Sequence, residues 1–135
     1  MSTTRAVATA SAIMLTLAAS IAPLRAHHST AMYDMSQRKS IQGAIKTLEW
    51  TNPHVWLWVM IITDGPEHDT IAGFEADPPL VLTRWSGWGK DLLKPGDRVM
   101  VEYSPFRDGR SGGKVLRVVL ADGRILTTGW DRQVK

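Results

Sequence analysis

The sequence feature that constrains the fold most is an uninterrupted apolar run from Val55 to Ile62. Asn52-Pro53 precedes the run and Asp64-Gly65-Pro66 follows it. Turn residues on both sides of an apolar segment too short for a helix predict a strand that is buried on both faces. Side chains alternate along a strand, so every second residue of the run shares one face, which we expect to form the core. The expected core residues are Val55, Leu57, Val59 and Ile61.

Shorter alternating segments predict further strands on both sides of this one. They cover residues 40–50, 69–75, 99–104, 115–120 and 124–126. Asp77 followed by two prolines predicts the N-cap of a short helix from Leu80 to Trp85, which Gly87 ends. Three strands, a helix and two strands is the order of the OB-fold, a five-stranded barrel. Trp85 and Trp88 are expected to plug this barrel. We therefore predict an all-β fold, a small five- or six-stranded OB-like barrel with one short helix between strands three and four.

The barrel is predicted to occupy residues 40–126, with different segments on each side. Residues 1–26 combine Arg5, an uncharged stretch and Leu24-Arg25-Ala26, the pattern of a cleavable secretory signal peptide. An uncleaved membrane anchor is the alternative. Residues 27–39 are expected to form an N-terminal arm, and residues 127–135 a loose C-terminal tail. The glycine-rich segment 107–113 is expected to be a mobile loop. Cleavage after Ala26 would place the domain in the periplasm, without a membrane span.

Charge and cysteine content exclude several classes of protein. The chain has 16 basic and 13 acidic residues, and removal of Arg5 and Arg25 with the signal peptide would reduce the net charge from +3 to +1. A nearly neutral domain lacks the cluster of cations that nucleic-acid binding requires. The chain contains no cysteine. Disulfides, thiolate zinc sites and cysteine nucleophiles are therefore excluded.

Three motifs carry a resemblance to a known family. They are Ala26-His27-His28-Ser29, the segment from Trp50-Thr51-Asn52-Pro53 through His54-Val55-Trp56-Leu57, and Leu93-Lys94-Pro95-Gly96-Asp97. The chain resembles the domain of unknown function 6152 family of small exported bacterial proteins over nearly all of its mature length. The resemblance implies location and architecture. It implies no settled activity, so only the residues themselves can indicate a function.

The histidines suggest a metal site. If the mature chain starts at His27, its α-amine and imidazole can chelate one metal, and a third nitrogen would complete a geometry that suits copper(II). His54 is the better third ligand and His28 the other candidate. Met32 and Met35 are soft ligands that could accept copper(I). The alternative is that the terminal histidines are solvated, that His54 caps a turn and that both methionines fill gaps in packing.

The aromatic residues suggest a second kind of site. Aromatic side chains dominate binding hot spots, so an aromatic platform could bind a sugar, a peptide or a periplasmic protein, with core packing as the alternative. The candidate ligand-binding residues are Trp50, Asn52, Trp56, Trp58 and Tyr33. No spacing of acids or serines indicates a catalytic site. We therefore predict an exported, periplasmic, non-enzymatic binding protein that holds copper through His27 and His54. The alternative is a metal-free barrel that binds a protein or small ligand through its tryptophan face.

Overall fold

One continuous sheet of six strands forms the framework of the protein. The computed structural model describes residues 30–131. In chain order its elements are a 3₁₀ turn at Thr30–Met32, β1 at Lys39–Glu49, β2 at Trp56–Ile61, β3 at Ile71–Glu75, α1 at Pro79–Ser86, β4 at Arg98–Pro105, β5 at Gly112–Leu120 and β6 at Ile125–Thr127.

The pairing of the strands closes the sheet into a barrel. β1 pairs antiparallel with both β2 and β4, while β2 pairs with β3 and β4 with β5. A parallel pairing between β3 and β5 joins the two ends, and β6 extends the sheet beyond β5. The predicted fold class is confirmed: the chain is an all-β, OB-like barrel of five strands, with one extra strand and a short helix between strands three and four.

The core lies inside the barrel, and β2 supplies its centre. Val55, Leu57 and Val59 are completely buried and Ile61 is nearly so, as the alternation predicts. The prediction that β2 is buried on both faces is wrong, because Trp56, Trp58 and Met60 on the outer face are only partly buried. In a closed barrel the inward face of each strand is buried in the core. The outward face is buried only where another segment of the chain packs on it.

β1 departs from simple alternation near its end. Its register with β2 shifts between Ile45 and Thr47. A bulge of this kind reverses the parity of the residues that follow it. As a result Thr47 is exposed, while Leu48 and Trp50 pack partly buried against the core.

The helix is where predicted, but two side chains at its ends differ from expectation. Pro78 occupies the N-cap position and no side chain caps the helix, so the prediction of Asp77 as N-cap is wrong. Gly87, with a φ of 69°, ends the helix as predicted. Trp88 is buried and its Nε1 donates to the Thr127 carbonyl at 2.9 Å. Trp85 does not plug the barrel, because it lies on the outer face of α1 with 73% of its surface exposed.

The segment predicted as a mobile loop contains the start of β5. Gly112 and Gly113 are buried where β5 meets both β3 and β4. A Cβ atom on Gly112 would lie 2.0 Å from the Gly73 carbonyl oxygen, and one on Gly113 would lie 2.0 Å from the carbonyl oxygen of Ser104. Only glycine therefore allows three strands to come together at this point.

The two ends of the described chain pack on the barrel. Tyr33 is buried and forms a bridge with Phe106. A loose tail was expected from Thr127, but Thr127 belongs to β6 and Thr128 is buried, with its hydroxyl bonded to two β5 carbonyls. The predicted signal peptide and residues 132–135 lie outside the described residues. None of the helices within residues 30–131 has the length and hydrophobicity that a transmembrane segment requires.

Candidate functional site

A pocket of about 390 Å³ lies at one end of the barrel, where the arm, the β1–β2 connection, β3, β5 and the C-terminal segment meet. Polar and aromatic side chains make up most of its lining. The lining residues are Thr30, Met32, Tyr33, His54, Glu75, Asp77, Pro78, Lys114 and Trp130.

The carboxylate of Glu75 is at the centre of this pocket. Lys114 Nζ donates to Glu75 Oε1 at 2.8 Å, and His54 Nδ1 lies 2.8 Å from the same oxygen. The Tyr33 hydroxyl donates to the other oxygen, Oε2. The side chains of Lys114 and Glu75 are only 4% and 10% exposed, so this is a buried ion pair with two further partners. We call these four residues the Glu75 cluster.

Electrostatics favour the ionised form of Glu75 and the protonated form of Tyr33. Burial alone would raise the pKa of Glu75, but hydrogen bonds from Lys114 and Tyr33, together with the charges of Lys114 and His54, outweigh it and lower the pKa. Burial of Tyr33, and then its hydrogen bond to Glu75 and the charge of that carboxylate, raise the pKa of the phenol far above its ordinary value. Glu75 is therefore held ionised and Tyr33 protonated.

Strand register places the members of the cluster. Glu75 and Lys114 are directly paired in the parallel β3–β5 ladder, so barrel closure brings the two charges together. His54 lies just before β2, and the next residue, Val55, is hydrogen-bonded to the β3–α1 connection. The Val55 amide donates to the Asp77 carbonyl, and the Ala76 amide donates to the Val55 carbonyl. Tyr33 is held by its bridge to Phe106.

The C-terminal segment forms the remaining wall of the pocket. The Gly129 amide donates to Asp77 Oδ2 at 2.7 Å, which fixes this segment beside the start of α1. The ring of the next residue, Trp130, lies 5.0 Å from Lys114 Nζ, within range of a cation–π contact. The buried Nε1 of Trp130 has no hydrogen-bond partner among the described residues.

The structure brings together two of the five predicted metal ligands. His54 and Met32 line the pocket, and Met32 is 46% exposed. Met35 is partly buried and is not among the lining residues. His27 and His28 lie outside the described residues. Within residues 30–131, no three His, Cys, Asp or Glu side chains form a group that could hold a metal ion.

The predicted ligand-binding residues divide between several places. Trp56 and Trp58 stack on the outer face of β2, with ring centroids 5.9 Å apart. Tyr33 belongs to the Glu75 cluster instead. Trp50 packs partly buried against the core, and Asn52 is exposed in the β1–β2 connection.

Sequence reasoning did not single out Glu75, Asp77, Lys114 or Trp130 as site residues. A signal for Lys114 is present, because it lies between Gly113 and a predicted strand that is apolar apart from Arg117. Lysine is almost never fully buried unless it is paired, so a lysine inside a core strand predicts a buried acid nearby. The partner cannot be chosen from sequence, since the β3–β5 pairing joins segments 39 residues apart.

Fold and site together define a class of protein: a small OB-like β-barrel with a charged, partly enclosed pocket at one end. A family described as "Family of unknown function (DUF6152)" matches residues 14–115, and the chain belongs to it. Searches of curated proteins and of solved structures found no significant match.

Proposed function

We propose that this chain is an exported, non-enzymatic binding protein and that its ligand is copper, held by His27 and by His54 of the Glu75 cluster. One observation carries the proposal: Thr30, three residues after His27, lines the same pocket as His54. Three residues of extended chain span at most about 11 Å. The covalent link to Thr30 therefore keeps His27 within reach of the pocket that contains His54.

The contact between His54 and Glu75 supports a role for the imidazole in metal binding. A metal-binding histidine usually directs its other ring nitrogen at a carboxylate or carbonyl, which fixes the orientation of the ring and makes the ligand more basic. Glu75 occupies that position on the Nδ1 side of His54. His54 would accordingly coordinate copper through Nε2, with Glu75 as its supporting acid.

The charges and soft atoms around the pocket also favour a cation of this kind. Two carboxylates, Glu75 and Asp77, line the pocket against one ammonium group, Lys114. The ammonium is bound to Glu75, which limits its repulsion of a second cation. The Met32 thioether lines the same pocket and is a ligand type that copper(I) prefers.

The pKa shifts of Tyr33 and Glu75 favour a binding role over proton transfer for these two residues. A general base needs a pKa near the working pH. Tyr33 has a strongly raised pKa and Glu75 a lowered one, and both are engaged with each other. These groups are arranged to hold a fixed geometry and not to exchange protons with a substrate.

The experiment combines the intact mass of protein recovered from its native compartment with a copper(II) titration followed by electron paramagnetic resonance. We expect a mass that begins at His27 and one equivalent of copper in a nitrogen-rich signal. His54→Asn should abolish that signal. The matched control is His68→Asn, because His68 lies in an exposed turn with a 45% exposed side chain and should leave the signal unchanged.

Two results would contradict the proposal. One is a mature chain that starts elsewhere and shows no stoichiometric copper signal. The other is a signal that survives His54→Asn with unchanged hyperfine splitting, because copper would then be held by groups other than those proposed.

A further inference from the structure

We propose that a second cleft, on the outer face of β2 and β3, binds a sugar ring of a neutral saccharide. The cleft has a volume of about 230 Å³ and shares no lining residue with the pocket of the Glu75 cluster. Its wall residues are Glu49, Trp56, Trp58, Ile71, Phe106 and Arg110. The proposal is therefore independent of copper binding.

Two nearly parallel indole rings line the cleft. The rings of Trp56 and Trp58 are nearly parallel, with an angle of 18° between their planes. Trp58 pairs with Gly73 in the β2–β3 ladder, and a Cβ atom on Gly73 would lie 2.8 Å from Cζ3 of Trp58. The missing Cβ lets the indole lie against β3, and both tryptophans remain partly exposed. A flat indole face suits the apolar C–H face of a sugar ring.

Polar groups border this aromatic surface. Arg110 lies over the Phe106 ring, with its guanidinium carbon 3.8 Å from the ring centroid, which holds the cation at one side of the cleft. Glu49 also lines the cleft, from the exposed end of β1. A carboxylate and a guanidinium beside an aromatic surface can accept and donate hydrogen bonds with the hydroxyl groups at the edge of a sugar ring.

Two buried polar atoms of the lining residues are unsatisfied. Trp58 Nε1 and Ser111 Oγ are shielded from solvent and have no hydrogen-bond partner among residues 30–131. Buried polar groups are nearly always hydrogen-bonded, so each exception requires an explanation. Solvent does not reach these atoms, so a ligand with several hydroxyl groups would supply their missing partners only if the lining side chains move when it binds.

The wild-type protein provides the first test, with EDTA present to remove copper. The probes are maltotriose, cellotriose and triacetylchitotriose, each titrated while the indole N–H signals of the six tryptophans are followed by two-dimensional NMR. We expect at least one probe to shift the Trp56 and Trp58 signals in a saturable way. The Trp85 signal should not move, because Trp85 lies exposed on α1 and does not line the cleft.

Variants then test the role of the aromatic side chains in saccharide binding. Trp58→Ala should weaken binding of that probe by about tenfold or more, as expected for loss of an aromatic hot spot. Gly73→Ala removes no polar group but displaces the indole, so it should weaken binding as well. Trp85→Ala is the matched control and should bind like the wild type.

The proposal is overturned if none of the three saccharides gives a saturable shift. It is also overturned if the shifts occur at Trp85 or spread over all indoles alike, or if an apolar peptide binds at Trp56 and Trp58 while the saccharides do not. None of these results bears on copper binding at His54.

Discussion

Replacement of Lys114 by methionine tests the energetic role of the Glu75 cluster. Methionine preserves most of the length and apolar volume of the lysine stem but removes the ammonium. Because the two side chains are only 4% and 10% exposed, the variant leaves the Glu75 carboxylate buried with Tyr33 and His54 as its remaining partners.

The structure indicates the size of the effect. Removal of one partner from a buried ion pair costs about 3–5 kcal/mol, since the remaining charge stays away from water. Tyr33 still donates to Glu75 and His54 still contacts it, so we expect the lower end, about 3 kcal/mol of unfolding free energy. For a domain of this size that corresponds to a decrease of roughly 10–15 °C in Tm.

The assay is urea unfolding followed by tryptophan fluorescence, with Arg124→Met as the matched control. Arg124 forms an ion pair with Asp122 at the same 2.8 Å, but both side chains are more than half exposed. Solvent-exposed pairs contribute little, so this control should unfold almost like the wild type. In addition, Lys114→Met combined with Glu75→Gln should lose less than the two single variants together. Equal stability of Lys114→Met and the wild type would refute the reasoning.

Three further predictions concern barrel closure, pH and the core. Gly113→Ala should destabilise the protein by about 3 kcal/mol or more in urea unfolding, because its Cβ would lie 2.0 Å from the Ser104 carbonyl oxygen, whereas Gly89→Ala meets open space and should be nearly neutral. Since the pKa of Glu75 is lowered from 4.5, its contribution is present above that pH and is lost as pH falls through the lowered value. Acid titration monitored by circular dichroism should accordingly show a smaller acid-dependent loss of stability for Glu75→Gln than for the wild type. Leu57→Ala should cost about 2–5 kcal/mol in chemical unfolding, because Leu57 is completely buried, and a cost below 1 kcal/mol would contradict its place in the core.

The parts of the fold that local patterns determine were predictable from sequence. Apolar alternation and turn residues placed β2 and its core face, and Gly87 marked the end of the helix. The fold class followed from the order of these elements. Each of these predictions rests on residues that are close together in the chain.

The parts that were not predictable depend on contacts between distant segments. Trp85 and Trp88 are three residues apart, yet only the second faces the barrel, because the end of α1 turns the chain between them. Gly112 and Gly113 have the composition of a loop but lie inside a strand, since β3 and β4 approach them from both sides.

The residues of the candidate site were likewise predictable only in part. His54, Met32 and Tyr33 were singled out by residue type, and all three line one pocket. Their actual partners, Glu75 and Lys114, could not be found, because the ion pair depends on a parallel ladder that closes the barrel. The sequence indicated which residue types could form a site, but not which of these side chains would be in contact in the folded protein.

The junction of β3 and β5 has a consequence for how the site is made during synthesis. The chain from Gly112 to Lys114 both closes the barrel and supplies the ammonium of the Glu75 cluster. A nascent chain that has not yet reached residue 112 can pair β1 with β2 and β4, and β2 with β3, as an open sheet. Such a sheet has unpaired strands at its edges, and Glu75 lacks its cation. The pocket therefore arises only when the barrel closes, so a ligand of the proposed kind would bind finished molecules and not incomplete ones.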